Sequence, residues 1–341
     1  LPATHDEIAG VAEAAGQLGV ARKDIAGFTE TAIALGESTN LSAEEAATGL
    51  AKISNVMGTM DREGVKGIER MGSALVALGN DGASTEADIL AMAQRLSGAG
   101  KMIGATESDI LAMSSALSSV GIEAELGGGA MSRALQEMNS AVIGGGKELE
   151  GFAEVAGMSA REFAAAWRDD PIAAANAFIS GLGGISESGG DAAATLSALG
   201  LGGTQNAQVL LRAAGASDLL TDSLKVGADA YRDNNALMDE ANQRYATTES
   251  RLQVAKNTMK DAAIDAGLYV VIDWHAYEPE PEAAAEDPLE SESEPDPESE
   301  PWSVAPLSPL VAVVSMTSGA VCTCPSTWKS RNSRYRPSVG A

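Results

Sequence analysis

The chain has 341 residues, a formal net charge of −25 and only 4% aromatic residues. The negative charge argues against binding of nucleic acid, since that binding depends on neutralising phosphates with Lys and Arg. The scarcity of aromatic side chains leaves few large anchors for a core of this size, so we expect neighbouring chains to supply further contacts. Cys322 and Cys324 have no histidine beside them, so neither a metal site nor any other cofactor is expected.

Helices separated by short breaks are predicted from the N-terminus to about residue 267. The first clear start signal is Ser42 with Glu45, which matches the Ser-x-x-Glu signature of a helix N-terminus. A second, more regular signal follows in a pair of near-copies, where STEADILAMAQRLSGAG returns twenty-one residues later as ATESDILAMSSALSSVG. Ten of the seventeen aligned residues are identical. The chain is therefore predicted to repeat a helical unit.

Each near-copy is predicted to form one capped helix. The copies begin with Thr85 and Thr106, each followed three residues later by Asp, and end on Gly100 and Gly121. Their apolar residues recur at spacings of three and four, which gives each helix one narrow apolar stripe. Such a stripe favours packing against another helix, and the pattern predicts helical hairpins and assembly rather than an enclosed substrate pocket.

Three glycine-rich stretches are predicted to be hinges or caps between helices. They are Gly127–Gly129, Gly144–Gly146 and Gly181–Gly184. No strand pattern precedes any of them, which argues against a phosphate-binding loop. Between the second and third stretches, Ser159 with Glu162 predicts another helix start, and a break is predicted just before Pro171.

The largest apolar cluster in this alanine-rich chain consists of Phe152, Phe163 and Trp167. Phe163 and Trp167 are four residues apart and therefore lie on one helical face. Two interpretations remain open for the cluster. It forms a local core between two helices, or it contacts a partner protein, because few other anchors are available for intermolecular packing.

The last part of the helical region predicts one long amphipathic helix over residues 229–265, since apolar residues recur there without Pro or Gly. Residues 268–274 then have a β-branched and aromatic strand pattern. Residues 276–301 contain eleven acidic residues and no Lys or Arg, which predicts disorder. The longest apolar run, Leu310 to Val314, is too short to span a membrane.

These patterns together predict an all-α protein. It combines glycine-punctuated helical hairpins and one long amphipathic helix with a disordered acidic C-terminal tail. The predicted division is a helical core over residues 1–266, an isolated strand-like segment over residues 267–277 and a low-complexity tail over residues 278–341.

The helical part, about residues 1–266, resembles the core region of tail tape measure proteins of tailed bacteriophages and prophages. The resemblance is carried by an ordered series of segments: DIAGFTETAIALGESTNLSAEEAA, the block of near-copies from GNDGASTEADILAMAQRL onward, LEGFAEVAGMSAREFAAAWRDDPIAAANAFISGL, LSALGLGGTQNAQVLLRAAG and TTESRLQVAKNTMKDAAIDAG. It implies a structural protein that occupies the tail tube in several copies and sets tube length while the tube subunits polymerise around it. The implied partners are copies of the chain and the tail tube and tail-tip proteins. The implied location is the virion tail, with assembly in the cytoplasm of a bacterial host.

A second, short stretch, DAAIDAGLYVVIDWHAYEPEPEAAAE over residues 261–286, resembles cellulase-type glycoside hydrolases with a (β/α)8 barrel. In those enzymes the histidine that matches His275 helps to line the sugar site. A glycosidase needs two carboxylates across the scissile bond, and the Asn-Glu-Pro motif that carries the acid in these cellulases does not occur in this chain. An inactive glycoside hydrolase fragment is therefore the alternative to the tail protein.

No catalytic residues are expected elsewhere in the chain. Asp273 and His275 have no third group to orient the imidazole ring, and His5, the only other histidine, lies in a terminal stretch. A helical signalling or surface protein would show sustained seven-residue repeats, which the glycine breaks interrupt. We therefore expect a structural protein and not an enzyme.

Overall fold

The computed structural model describes residues 2–265, and these residues contain sixteen α-helices and no strands. In chain order the helices are α1 (His5–Gln17), α2 (Ile25–Ser38), α3 (Ala43–Met57), α4 (Thr59–Glu63), α5 (Val65–Asp81), α6 (Glu86–Ile103), α7 (Glu107–Ser119), α8 (Ala124–Gly144), α9 (Gly146–Val155), α10 (Ala160–Asp169), α11 (Pro171–Glu187), α12 (Ala192–Ala198), α13 (Thr204–Ala214), α14 (Ser217–Asp233), α15 (Ala236–Tyr245) and α16 (Thr248–Asp265). The all-α prediction is confirmed. The predicted strand-like segment over 267–277 and the predicted tail over 278–341 lie outside the described residues, and the proposed division of the chain stays a prediction.

Several helices begin at the predicted caps. The hydroxyls of Ser42, Thr106 and Ser159 each accept a hydrogen bond from the backbone N–H three residues later, and the side chain of that third residue accepts one in return. Thr85 also accepts from the backbone N–H of Asp88. Each such cap satisfies backbone donors that the helix leaves unpaired and stabilises it by about 1 kcal/mol.

The near-copies form α6 and α7, but α6 does not end at Gly100 as predicted. It continues to Ile103 and ends at Gly104, where φ is +81°. Gly100 instead lies at the contact between the two helices, since a Cβ there would come 2.4 Å from Ile110 Cδ1. The glycine permits close packing of α6 on α7, and the cap is supplied four residues later by a glycine in the left-handed conformation.

Two of the three predicted glycine breaks are also wrong. Gly144–Gly146 separates α8 from α9 as expected, whereas Gly127–Gly129 lies inside α8 and Gly181–Gly184 lies inside α11. A Cβ at Gly127 would come 2.8 Å from Met92 Cε, and one at Gly181 would come 1.7 Å from the Val155 carbonyl oxygen. These glycines therefore allow neighbouring elements to approach closely and do not interrupt their helices.

The predicted single helix over residues 229–265 is wrong as well, because three helices share this stretch. Helix α14 ends at Asp233, and Asn234 has a positive φ of 52°. The Asn234 side chain accepts a hydrogen bond from Ser73 Oγ at 3.2 Å and donates one to Glu69 at 3.4 Å. Asparagine tolerates the left-handed conformation, and these contacts with α5 favour it over helix continuation. The turn brings Leu237 of α15 into the core, where it is 1% exposed.

The core follows from the apolar stripes of the central helices. Helix α6 packs against α3, α7 and α8, while α14 packs against α5 and α7. The fully buried side chains include Leu50, Leu75, Met92 and Ile110. Buried residues from Ala3 to Ala241 form one contiguous cluster, so α1 to α15 share a common interior, and all described helices belong to one compact unit.

Candidate assembly surface

An open groove lies on the surface between α3 and α6. A Cβ at Gly49 of α3 would come 2.4 Å from Leu90 Cδ2 of α6, so this glycine lets the two helices approach closely. Short side chains, among them Thr48, Ala87 and Ala91, then leave a depression above the contact. The groove has two stretches of about 560 and 580 Å³ that share Ala91 and other lining residues, and it is therefore continuous. We call it the α3–α6 groove.

The α3–α6 groove carries opposite charges at its two ends. Glu44 and Glu45 lie where α3 begins, and Lys52 and Arg95 lie toward the other end. Hydrogen bonds from the backbone N–H and hydroxyl of Ser42 lower the pKa of Glu45, so its carboxylate is ionised at neutral pH. Neither Lys52 nor Arg95 forms an ion pair within residues 2–265. Exposed charges of both signs therefore line one open channel.

The shape of this groove fits a helix better than a small molecule. Small-molecule sites are concave and bury most of the ligand surface, whereas the α3–α6 groove is open along its length. Its floor combines Leu41, Leu90 and alanines, and Val56 at the Lys52 end is 44% exposed. An amphipathic helix that places its apolar face on such a floor would bury these side chains.

The predicted aromatic cluster is inside the protein. Phe152 and Phe163 are at most 1% exposed and Trp167 is 4% exposed. Phe152 packs against Phe178 with ring centroids 5.3 Å apart, and Phe163 stacks on Trp167 at 6.1 Å. Trp167 Nε1 donates a hydrogen bond to Asn139 Oδ1 at 3.3 Å. This arrangement is a local core that joins α8, α9, α10 and α11, and the role of the three residues as partner contacts stays a prediction.

An ion pair between the buried carboxylate of Glu107 and the half-exposed guanidinium of Arg62, which the sequence did not indicate, links α4 to α7. Glu107, 3% exposed, accepts hydrogen bonds from Thr59 Oγ1 at 2.5 Å and from the Arg62 guanidinium. Arg62 also donates to the Met57 carbonyl at 2.6 Å. In sequence Glu107 is one of several acidic residues in a first helical turn, and nothing there distinguishes it from an exposed capping residue. The pair connects helices and offers no free carboxylate for acid–base chemistry.

A second polar contact joins α14 to the same region. Tyr231 OH donates a hydrogen bond to Glu63 at 3.1 Å, and the Arg70 guanidinium lies 5.9 Å from the centre of the Tyr231 ring. Burial, together with the nearby carboxylates Glu107 and Glu63, raises the pKa of Tyr231 well above its ordinary value. The phenol stays protonated as a hydrogen-bond donor, so this contact also stabilises helix packing.

The other chemistry considered from the sequence falls largely outside the described residues. His275, Asp273, Cys322 and Cys324 all lie there. Within residues 2–265, His5 Nε2 lies 2.7 Å from Asp261 Oδ1 on the surface. No cluster of three or more His, Cys, Asp or Glu side chains in that range is arranged to hold a metal ion. In the same part of the chain, no helix has both the length and the apolar content required to cross a membrane.

Comparison with known proteins gives one match. A family model described as "Phage-related minor tail protein" matches residues 1–199. No curated protein and no solved structure matches the chain. The matched residues include α1 to α12, and therefore both the α3–α6 groove and the aromatic cluster, whereas α13 to α16 follow the match.

Proposed function

The chain belongs to the family of phage-related minor tail proteins, and from this premise we propose that it is a tail tape measure protein. It associates with copies of itself inside the tail tube, contacts the tail tube and tail-tip proteins, and sets tube length during assembly in the host cytoplasm. The observation that carries the proposal is the family match over residues 1–199, which spans most of the segments that resemble tape measure proteins.

The architecture supports a role in assembly. The described chain is wholly helical outside its turns, and its surface contains the open α3–α6 groove. Groove and helix surfaces of this kind bind other helices by burying apolar side chains. The proposal contains no catalytic step and requires no cofactor.

In the proposed mechanism the number of residues in the chain sets the length of the tail tube, because a helix advances about 1.5 Å for each residue. The described helices are short and fold against one another, the longest being α8 with 21 residues. In the proposal this segment therefore acts as a packed module that provides self-association and contacts with the tube and tip.

Co-expression with the tail tube and tail-tip proteins of the same phage genome tests the proposal. Electron microscopy is expected to show tubes of uniform length that contain the chain, and tubes of widely varying length when the chain is omitted. Tubes whose length distribution is the same with and without the chain would overturn the tape measure role. Such a result would leave the chain a minor tail protein of a different kind.

A further inference from the structure

Helix α16 has its apolar side turned away from the protein. Leu252, Ala255, Met259 and Ala262 follow one another at spacings of three and four and form one stripe. Leu252 is 56% exposed and Met259 is 69% exposed. With Val254, α16 contains three of the eight large hydrophobic side chains that are exposed among the described residues. We call Leu252, Ala255, Met259 and Ala262 the α16 stripe.

Polar side chains hold the opposite side of α16 to the body of the protein. Asn257 donates a hydrogen bond to the Ala3 carbonyl at 2.7 Å, and Asp261 contacts His5 at 2.7 Å. Gln253 and Asn257 are partly buried, and none of the described side chains of α16 is fully buried. Because its polar side faces the protein, α16 leaves its apolar side exposed, where another protein chain could cover it.

We propose that the α16 stripe of one copy docks in the α3–α6 groove of a second copy. The two surfaces match in length, because Leu252 to Ala262 and Ser42 to Lys52 each span ten residues, or about 15 Å along a helix. Leu252 and Met259 project from α16, and the short side chains of Ala87 and Ala91 leave space in the groove for an apolar side chain.

Charge favours the same pairing and selects one end of the groove. Arg251 and Lys260 flank the α16 stripe, while Glu44 and Glu45 lie at the α3 N-terminal end of the groove. Opposite charges at the rim of an interface favour this register. In this pairing α16 lies antiparallel to α3, which places Lys260 beside Glu44 and Glu45 and leaves Arg251 as the basic residue near Lys52.

The contact is head-to-tail, because each copy presents two different surfaces. Contacts of this type form closed rings or open stacks, depending on the rotation between copies. The inference rests on the proposed self-association and assigns surfaces to it. It differs from a symmetric pairing of two α16 helices, in which the groove would have no part.

Analytical ultracentrifugation of the purified full chain tests the assignment. Met259→Glu and Ala91→Trp are each expected to weaken self-association at least about tenfold, a change of about 1.4 kcal/mol. Ile143→Glu on α8, at a side chain that is 78% exposed, and Ala193→Trp on the exposed face of α12 are the matched controls and should have no effect. The circular dichroism spectra of all four variants should match that of the unmodified chain.

Mixing the two disabled variants separates head-to-tail from symmetric contact. Met259→Glu keeps an intact groove and Ala91→Trp keeps an intact α16 stripe, so an equimolar mixture should form a mixed dimer with the affinity of the unmodified chain, although each variant alone associates more weakly. A mixture that stays monomeric, or an Ala91→Trp variant that associates normally, would overturn the docking. A charge reversal provides a second test of the head-to-tail contact. Lys260→Glu and Glu44→Lys should each weaken self-association, and a mixture of the two variants should associate again.

The same data distinguish this inference from the proposed function. An unmodified chain that stays monomeric at every concentration contradicts the proposed self-association together with the docking. A chain that associates but is insensitive to Met259→Glu and Ala91→Trp contradicts only the docking.

Discussion

Replacement of Trp167 separates the two interpretations of the aromatic cluster. The side chain is 4% exposed, stacks on Phe163 and donates to Asn139. Truncation of a buried Trp to Ala costs about 3–5 kcal/mol through lost burial and a residual cavity. Trp167→Phe keeps a ring in the site and loses the hydrogen bond, which contributes about 0.5–1.5 kcal/mol. Arg161→Ala, at an exposed position of the same helix, is the matched control and should change stability by at most about 0.5 kcal/mol.

Urea unfolding at a low and a high protein concentration provides the assay. If the cluster is a local core, Trp167→Ala lowers the free energy of unfolding by the same amount at both concentrations. If the cluster contacts a partner copy, the loss grows with concentration, because only the associated form contains the contact. A loss below about 1 kcal/mol at low concentration would refute the local-core reasoning, since it falls outside the range for a buried Trp.

Three further outcomes follow from the structure and a fourth from the sequence. Thr106→Ala should lower the free energy of unfolding by about 1 kcal/mol, because the α7 cap is lost, whereas Thr106→Ser should retain most of the stabilisation by the cap. Thermal unfolding of the two variants measures the difference. Glu107→Gln should lower the free energy of unfolding by about 1.5–3 kcal/mol, because it weakens a charge-assisted hydrogen bond to Arg62. An unchanged midpoint in urea unfolding would contradict the structural role of this pair. Burial, and then the neighbouring carboxylates Asp170 and Glu107, raise the pKa of Asp109. The protonated carboxyl therefore favours the folded state, and this contribution to stability is lost as the pH rises through the raised pKa. Asp109→Asn should therefore gain stability relative to the unmodified chain as the pH rises above about 4, the ordinary pKa of an Asp carboxyl, and a difference that is the same at every pH would contradict the shift. Finally, the purified chain should release no reducing sugar from a soluble cellulose derivative, and activity that disappears in His275→Ala would contradict a purely structural protein.

The features that the sequence predicted best are local ones. The caps at Ser42, Thr106 and Ser159 depend on residues only three positions apart, and the structure contains all three. The helix break before Pro171 has the same local origin, since proline restricts the residue that precedes it. Helical class and several helix starts therefore follow from short-range chemistry alone.

The features that the sequence missed depend on residues far apart in the chain. Gly127 and Gly181 have the composition of hinges, and their actual role depends on Met92 and Val155, which approach them from other elements. The turn at Asn234 depends on a contact with Ser73. The pattern of α16 indicates an amphipathic helix, but only the packing of its polar side on Ala3 shows that the apolar side faces outward. Pattern alone cannot decide which face of a helix meets the protein.

The most direct test of the tape measure role is the length of tail tubes assembled around lengthened chains. An insertion of about 40 helical residues after Asp265, where the described helices end, leaves the packed module unchanged and adds about 60 Å of helix at the standard rise. Electron microscopy of tubes from the co-expression system is expected to show a mean length that increases in proportion to the inserted residues. Tubes of unchanged length, with the longer chain present inside them, would contradict the account.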